Sequence, residues 1–113
     1  MLSGCSMVSS LWMAGFDNNE YGLVNKIRTI SSLKQCDEYS VRVIYANSLE
    51  LKNYSQYIPR NKSTVDLVDN LYTMVEELKL KQQPISPVYC DLKMTAISQS
   101  AEEIQRVVGS KPR

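Results

Sequence analysis

The sequence predicts an all-α fold, a small helical bundle of about four helices. Three observations predict it. Apolar residues recur at spacings of three and four in separate stretches. Each stretch opens on an acid, amide or hydroxyl residue suited to a helix start. Only one stretch alternates as a strand would, and it has no second run to pair with. The 113 residues leave room for one domain. The expected organisation is an N-terminal tether or docking segment over 1–15 and a single helical domain over 16–113.

Asp17-Asn18-Asn19-Glu20 reads as an N-cap with an acid three positions on, the pattern of a capping box. Leu23, Ile27, Ile30 and Leu33 then step along one face, widened by Tyr21 and Val24, which predicts a helix over 18–34. Cys36-Asp37-Glu38 opens a second helix, with acids suited to its first turn. Val41, Val43 and Tyr45 alternate, but Val41, Ile44, Tyr45 and Ser48 are spaced as a helix. Without a partner strand the helical reading prevails, over 38–56.

Pro59 disfavours helix at Ile58 and breaks the chain there. Ser63 is the expected cap of a third helix, with Asp66 at N3 and Val65, Val68, Leu71, Val75 and Leu78 facing inward to about Lys81. Pro84 and Pro87 make Gln82–Val88 a stiff connector. The last helix is expected to begin near Cys90-Asp91. Cys90, Met94, Ile97, Ala101, Ile104 and Val108 form an a/d seam, read as the inward face of a bundle helix, with Gly109 as C-cap.

Composition narrows the function. Hydrophobic residues are 43%, charged residues 22%, and the net charge is +1, as in an ordinary globular chain. Lys and Arg are spread evenly and interleaved with acids. Clustered positive charge, which nucleic-acid binding and basic membrane-surface helices need, is absent. There is no histidine, which removes the Ser-His-Asp and Cys-His devices and the HExxH zinc site. Two isolated cysteines without histidine or an acidic loop do not build a metal site. Gly4, Gly15, Gly22 and Gly109 form no phosphate-cradling loop. Asp66, Asp69 and Asn70, and likewise Glu102 and Glu103, read as solvated helix faces. The expectation is a non-catalytic protein without cofactor, metal, nucleic acid or small-molecule substrate.

Cys36 and Cys90 are each followed by Asp, and each stands near a helix start. If the second and fourth helices begin at one end of the bundle, the sulfurs can meet. A bond closing about 55 residues contributes on the order of 4 kcal/mol in the chain-entropy model. The alternatives are two buried small hydrophobes in a cytosolic protein, or a reactive thiol favoured by a helix N-terminus and opposed by the adjacent Asp.

Seven tyrosines stand against one phenylalanine. Tyr packs its ring while its hydroxyl stays wet, which suits interfaces. Tyr54, Tyr57, Ile58, Pro59 and Arg60, between the second and third helices, are the expected partner-binding patch, though tyrosines can equally seal the rim of a small core.

Leu2-Ser3-Gly4-Cys5 resembles the lipobox of bacterial lipoproteins: an aliphatic residue, two small residues for the signal peptidase, then the lipid-bearing cysteine. The resemblance implies lipid attachment at Cys5, a membrane anchor through that lipid, and a periplasmic or outer-membrane-anchored protein of bacterial or phage origin. With Cys5 taken by lipid, Cys36 and Cys90 pair with none left over, and an oxidising compartment accounts for all three. Residues 6–15 are uncharged and too short to span a bilayer; they can tether the domain or dock Trp12 on the core. The helix order, Tyr-rich loop and cysteine-headed last helix over 36–108 are similar in pattern to periplasmic immunity proteins against type VI secretion amidases, without a diagnostic motif. The expected function is an exported lipoprotein that binds a protein partner in envelope assembly, exclusion or immunity. The alternative is a cytoplasmic helical adaptor or regulatory subunit with free cysteines.

Overall fold

The computed structural model describes residues 14–113. They form four helices: α1 Asn18–Ser32, α2 Glu38–Gln56, α3 Lys62–Leu80 and α4 Pro87–Gly109. No strand occurs among the described residues. α1 and α3 each pack against α2 and α4, and the diagonal pairs stay apart, so the helices form a ring of four around one core. Cross-helix contacts set the antiparallel order. Asn25 at the middle of α1 meets Gln105 late on α4, while Lys34, just past α1, meets Asp91 near the start of α4. Lys52 late on α2 meets Asp69 on α3.

The apolar stripes meet in the middle. On α4, Cys90, Met94, Ile97, Ala101, Ile104 and Val108 are all buried, so the expected seam is the inward face. Val68, Leu71, Val75 and Leu78 do the same for α3, and Val41, Ile44 and Leu51 for α2. Each fully buried aliphatic side chain contributes about 1.5–3 kcal/mol relative to exposure.

Several boundaries differ from expectation. α1 ends at Ser32, and Lys34 takes a left-handed turn (φ 53°) that carries Leu33 out of the stripe, leaving it 61% exposed. Thr64, not Val65, is the first inward residue of α3. Asn61, not Ser63, holds the α3 N-cap position. α4 starts at Pro87, three residues before Cys90: Ser86 accepts from the Tyr89 amide, and Pro87 occupies the first turn, where its missing N–H costs nothing. Gly109 is the last helical residue with negative φ, and Ser110 is the C-cap. What Gly109 provides is room: a Cβ there would stand 3.1 Å from Tyr21 Cε2.

Asp17 caps α1 as expected, Oδ1 accepting from the amides of Asn19 and Glu20 at 2.9 and 3.0 Å. Glu20 does not close the box. Its side chain turns into the bundle end, fully buried. Lys111 Nζ donates to its Oε1 at 2.7 Å, and Ser55 Oγ and Asn61 Nδ2 donate to its Oε2 at 2.7 and 2.9 Å. Lys111 also donates to Asn61 Oδ1 at 2.6 Å, and Asn61 Nδ2 to the Ser55 carbonyl at 3.0 Å. Asn61 therefore serves this network and makes no side-chain cap bond to α3. A buried ion pair persists only where further hydrogen bonds support it, and here Ser55 and Asn61 supply them.

Candidate functional site

The ends of α1 and α3 and the starts of α2 and α4 share one end of the bundle, and there Cys36 and Cys90 are joined. The S–S distance is 2.03 Å and Cα–Cα is 5.9 Å across a sequence separation of 54. Antiparallel packing brings them together: α2 and α4 run the same way, so both begin here. The structure thus pairs the two cysteines, and neither sulfur is a free thiol. Gln83 Nε2 donates to the Cys36 carbonyl at 2.9 Å, tying the α3–α4 connector to the bridge, and the Gln83–Pro84 peptide is cis. Lys34 pairs with Asp91 at 2.9 Å beside it.

Asp37 caps α2. Its carboxylate accepts from the Ser40 hydroxyl at 2.6 Å and the Ser40 amide at 3.1 Å. The hydroxyl first, then the amide, hold its pKa below the ordinary 3.8. A shallow recess of about 560 Å³ lies against the disulfide, with Pro84, Ile85 and Pro87 as its apolar wall.

Six large apolar side chains are exposed among the described residues: Leu33, Tyr39, Tyr57, Leu80, Val88 and Leu92. All but Tyr57 stand at the disulfide end, because Leu33 and Leu80 follow or close helices that end there and Tyr39, Val88 and Leu92 belong to helices that start there. Scattered apolar exposure is ordinary; a concentration at one end is not.

The expected tyrosine patch is divided. Tyr54 packs on the core, and its hydroxyl donates to Asp17 at 2.9 Å and accepts from Asn19 Nδ2 at 3.3 Å. It secures the cap of α1. Ile58 is half-buried, and Tyr57, Pro59 and Arg60 are exposed. The Arg60 carbonyl accepts from the Ala14 amide at 3.0 Å. Tyr57 is thus the one patch tyrosine with a free ring, at 86% exposure.

Other polar groups form pairs. Asp66 bonds to Lys62 and Asp69 to Lys52. Lys93 pairs with Glu77. Tyr45 and Tyr72 join hydroxyls at 2.9 Å across α2 and α3. That bond, burial and the Tyr45 charge push Tyr72 up to about 12. Glu102 lies in the α1–α4 groove with Arg28 and Arg106. Cys5 and Trp12 lie outside the described residues. No described helix is long and apolar enough to cross a membrane.

Sequence reasoning missed Glu20 as a core group, although a signal was present: Glu20 precedes Leu23 and Ile27 at the spacings of the α1 stripe. Lys111 and Asn61 lie outside the helices and gave no such signal. No family model, curated protein or solved structure matches this chain.

Proposed function

We propose that this is an exported, lipid-anchored, non-catalytic protein that binds a protein partner in a bacterial cell envelope, in an assembly, exclusion or immunity role. The observation that carries the reading is the Cys36–Cys90 disulfide, because such bonds persist in oxidising compartments and are rare in reducing ones. The lipobox-like Leu2–Cys5 supports it: the third cysteine is accounted for as the lipid attachment point. The exposure of Leu33, Tyr39, Leu80, Val88 and Leu92 at the disulfide end supports protein binding there. The bundle core is filled by its own side chains, so the surface is what remains for recognition.

The test is fractionation with the natural gene and its own upstream sequence. The wild-type protein is expected to incorporate labelled fatty acid and sediment with membranes. Cys5→Ser is expected to lose the label and become soluble. A Cys5→Ser protein that fractionates as wild type overturns the lipid anchor.

A further inference from the structure

The start of α2 and the end of α3 bound a groove of about 320 Å³ at the disulfide end, lined by Glu38, Val41, Arg42, Lys79, Lys81 and Gln83. Three of these side chains are cations and one is an acid, in a chain whose net charge is only +1. Folding makes that concentration, because Arg42 comes from α2 and the two lysines from the end of α3. We propose, resting on the protein-binding reading of this end, that the groove receives an acidic segment of the partner protein, in which carboxylates adjoin an apolar side chain.

The positive charge of the groove is not neutralised within the molecule. Among the described residues neither Lys79 nor Lys81 is paired with a carboxylate. Glu77, four residues before Lys81, is paired with Lys93 of α4. Asp37, at the start of α2, is occupied by the Ser40 hydroxyl and amide. Glu38 meets Arg42 through one guanidinium nitrogen at 3.2 Å, and an arginine has further donors to offer. Lys79 Nζ stands 4.8 Å from the centre of the Tyr45 ring and Lys81 Nζ 4.6 Å from that of Tyr89. A ring face holds an ammonium in place without cancelling its charge, so both lysines remain able to meet an anion. Hydrogen bonds from such cations to carboxylates are roughly twice as strong as neutral ones. The apolar part of the partner segment has its counterpart in Leu80, between the two lysines and 79% exposed, and in Tyr39, next to Glu38 and 71% exposed. An anionic bilayer would also attract the lysines, but it is flat and would press its charge against the exposed Asp37 and Glu38. A peptide chain can lay its carboxylates in the groove and leave those acids in water.

The probe is a random heptapeptide library displayed on phage, selected against the full-length Cys5→Ser chain with its disulfide formed. Enriched peptides are expected to carry two or more Asp or Glu beside a Leu, Phe or Tyr, and their synthetic copies to bind less tightly as salt rises. Lys79→Gln with Lys81→Gln is expected to weaken that binding about tenfold, the effect of losing two exposed charge pairs. Leu80→Ser is expected to weaken it several-fold. The unfolding midpoint should stay nearly unchanged in both, because all three side chains are exposed. Acidic peptides that bind the lysine variant as well as the wild type place their site elsewhere and overturn the proposal. Enriched peptides without acids, lost in Leu33→Ser or Leu92→Ser but not in the lysine variant, overturn the acidic partner and leave the disulfide end a protein-binding surface. A selection from which nothing enriches overturns both. Binding to phosphatidylglycerol vesicles that the lysine variant loses, with no acidic peptide enriched, would make the groove a lipid contact and overturns the proposal as well.

Discussion

At one end of the bundle Cys36 is bonded to Cys90; at the other Lys111 is ion-paired to Glu20 across a sequence separation of 91. Both links join distant parts of the chain, yet their surroundings are opposite. The disulfide needs no shelter from water, and five of the six large apolar side chains exposed among the described residues stand at its end of the bundle. The ion pair is buried, and hydrogen bonds from Ser55 and Asn61 to Glu20 and from Lys111 to Asn61 offset its desolvation. Its end is closed by residues 14–17 and 110–113, with Phe16 N–H bonded to the Pro112 carbonyl at 2.8 Å and the Arg113 guanidinium 4.0 Å over the Phe16 ring. A covalent link acts largely by constraining the unfolded chain, so it leaves its end of the fold free to present surface. A buried ionic link commits its end to the interior.

The comparison breaks most sharply at Lys111. Lys111→Met leaves Glu20 buried with its cation gone, and unfolding in urea is expected to show a loss of about 3–5 kcal/mol. A loss below 1 kcal/mol, by the same order-of-magnitude scale, would mean that water reaches Glu20 and the end is not closed. The Cys36→Ala, Cys90→Ala double variant is expected to lose about 2–4 kcal/mol. Reductant should shift the wild type by a similar amount and leave the double variant unmoved.

Next in size is the cap that couples α1 to α2. Asp17→Ala removes the carboxylate that accepts from two helix amides and from the Tyr54 hydroxyl, at a cost of about 1–2 kcal/mol in thermal or urea unfolding. Two glycines sharpen the contrast further. Gly22 is exposed inside α1 with open space at its Cβ position, so Gly22→Ala is expected to stabilise by about 0.5–1 kcal/mol. Gly109→Ala meets Tyr21 at 3.1 Å and is expected to give none of that gain.

The smallest effects are in pH. Tyr72 is raised from 10.0 to about 12 in the fold, so its contribution is complete below pH 10 and is lost as pH rises through 12. The unfolding midpoint should fall over that window, and less so in Tyr72→Phe. Asp37 is lowered; its contribution is present above its unfolded pKa and is lost as pH falls through the folded one. Asp37→Asn should flatten the acid limb of the stability profile.

Much of the fold was legible because helix stripes are local. The six buried α4 positions follow from spacing alone, and the common start of α2 and α4 made the disulfide readable from two Cys-Asp pairs. Leu33 was misplaced because the stripe continues one residue beyond the helix, and spacing does not register the turn at Lys34. Ser63 was taken for a cap because its chemistry suits one; Asn61 has the same chemistry and spends it on Glu20. Pro87 was read as connector although it also begins helices well. The buried network was hidden because Glu20 carries a cap-like motif and its partners come from three other parts of the chain. Tyr54 and Tyr57 were grouped by proximity in sequence, while three residues of helix turn one toward Asp17 and leave the other in solvent.

The central claim, that the disulfide marks an exported chain, is tested most directly by the intact mass of protein taken from its natural source and alkylated without reduction. The account predicts that Cys36 and Cys90 resist alkylation until reductant is added and that Cys5 carries lipid. Alkylation of all three cysteines in the unreduced protein would contradict it.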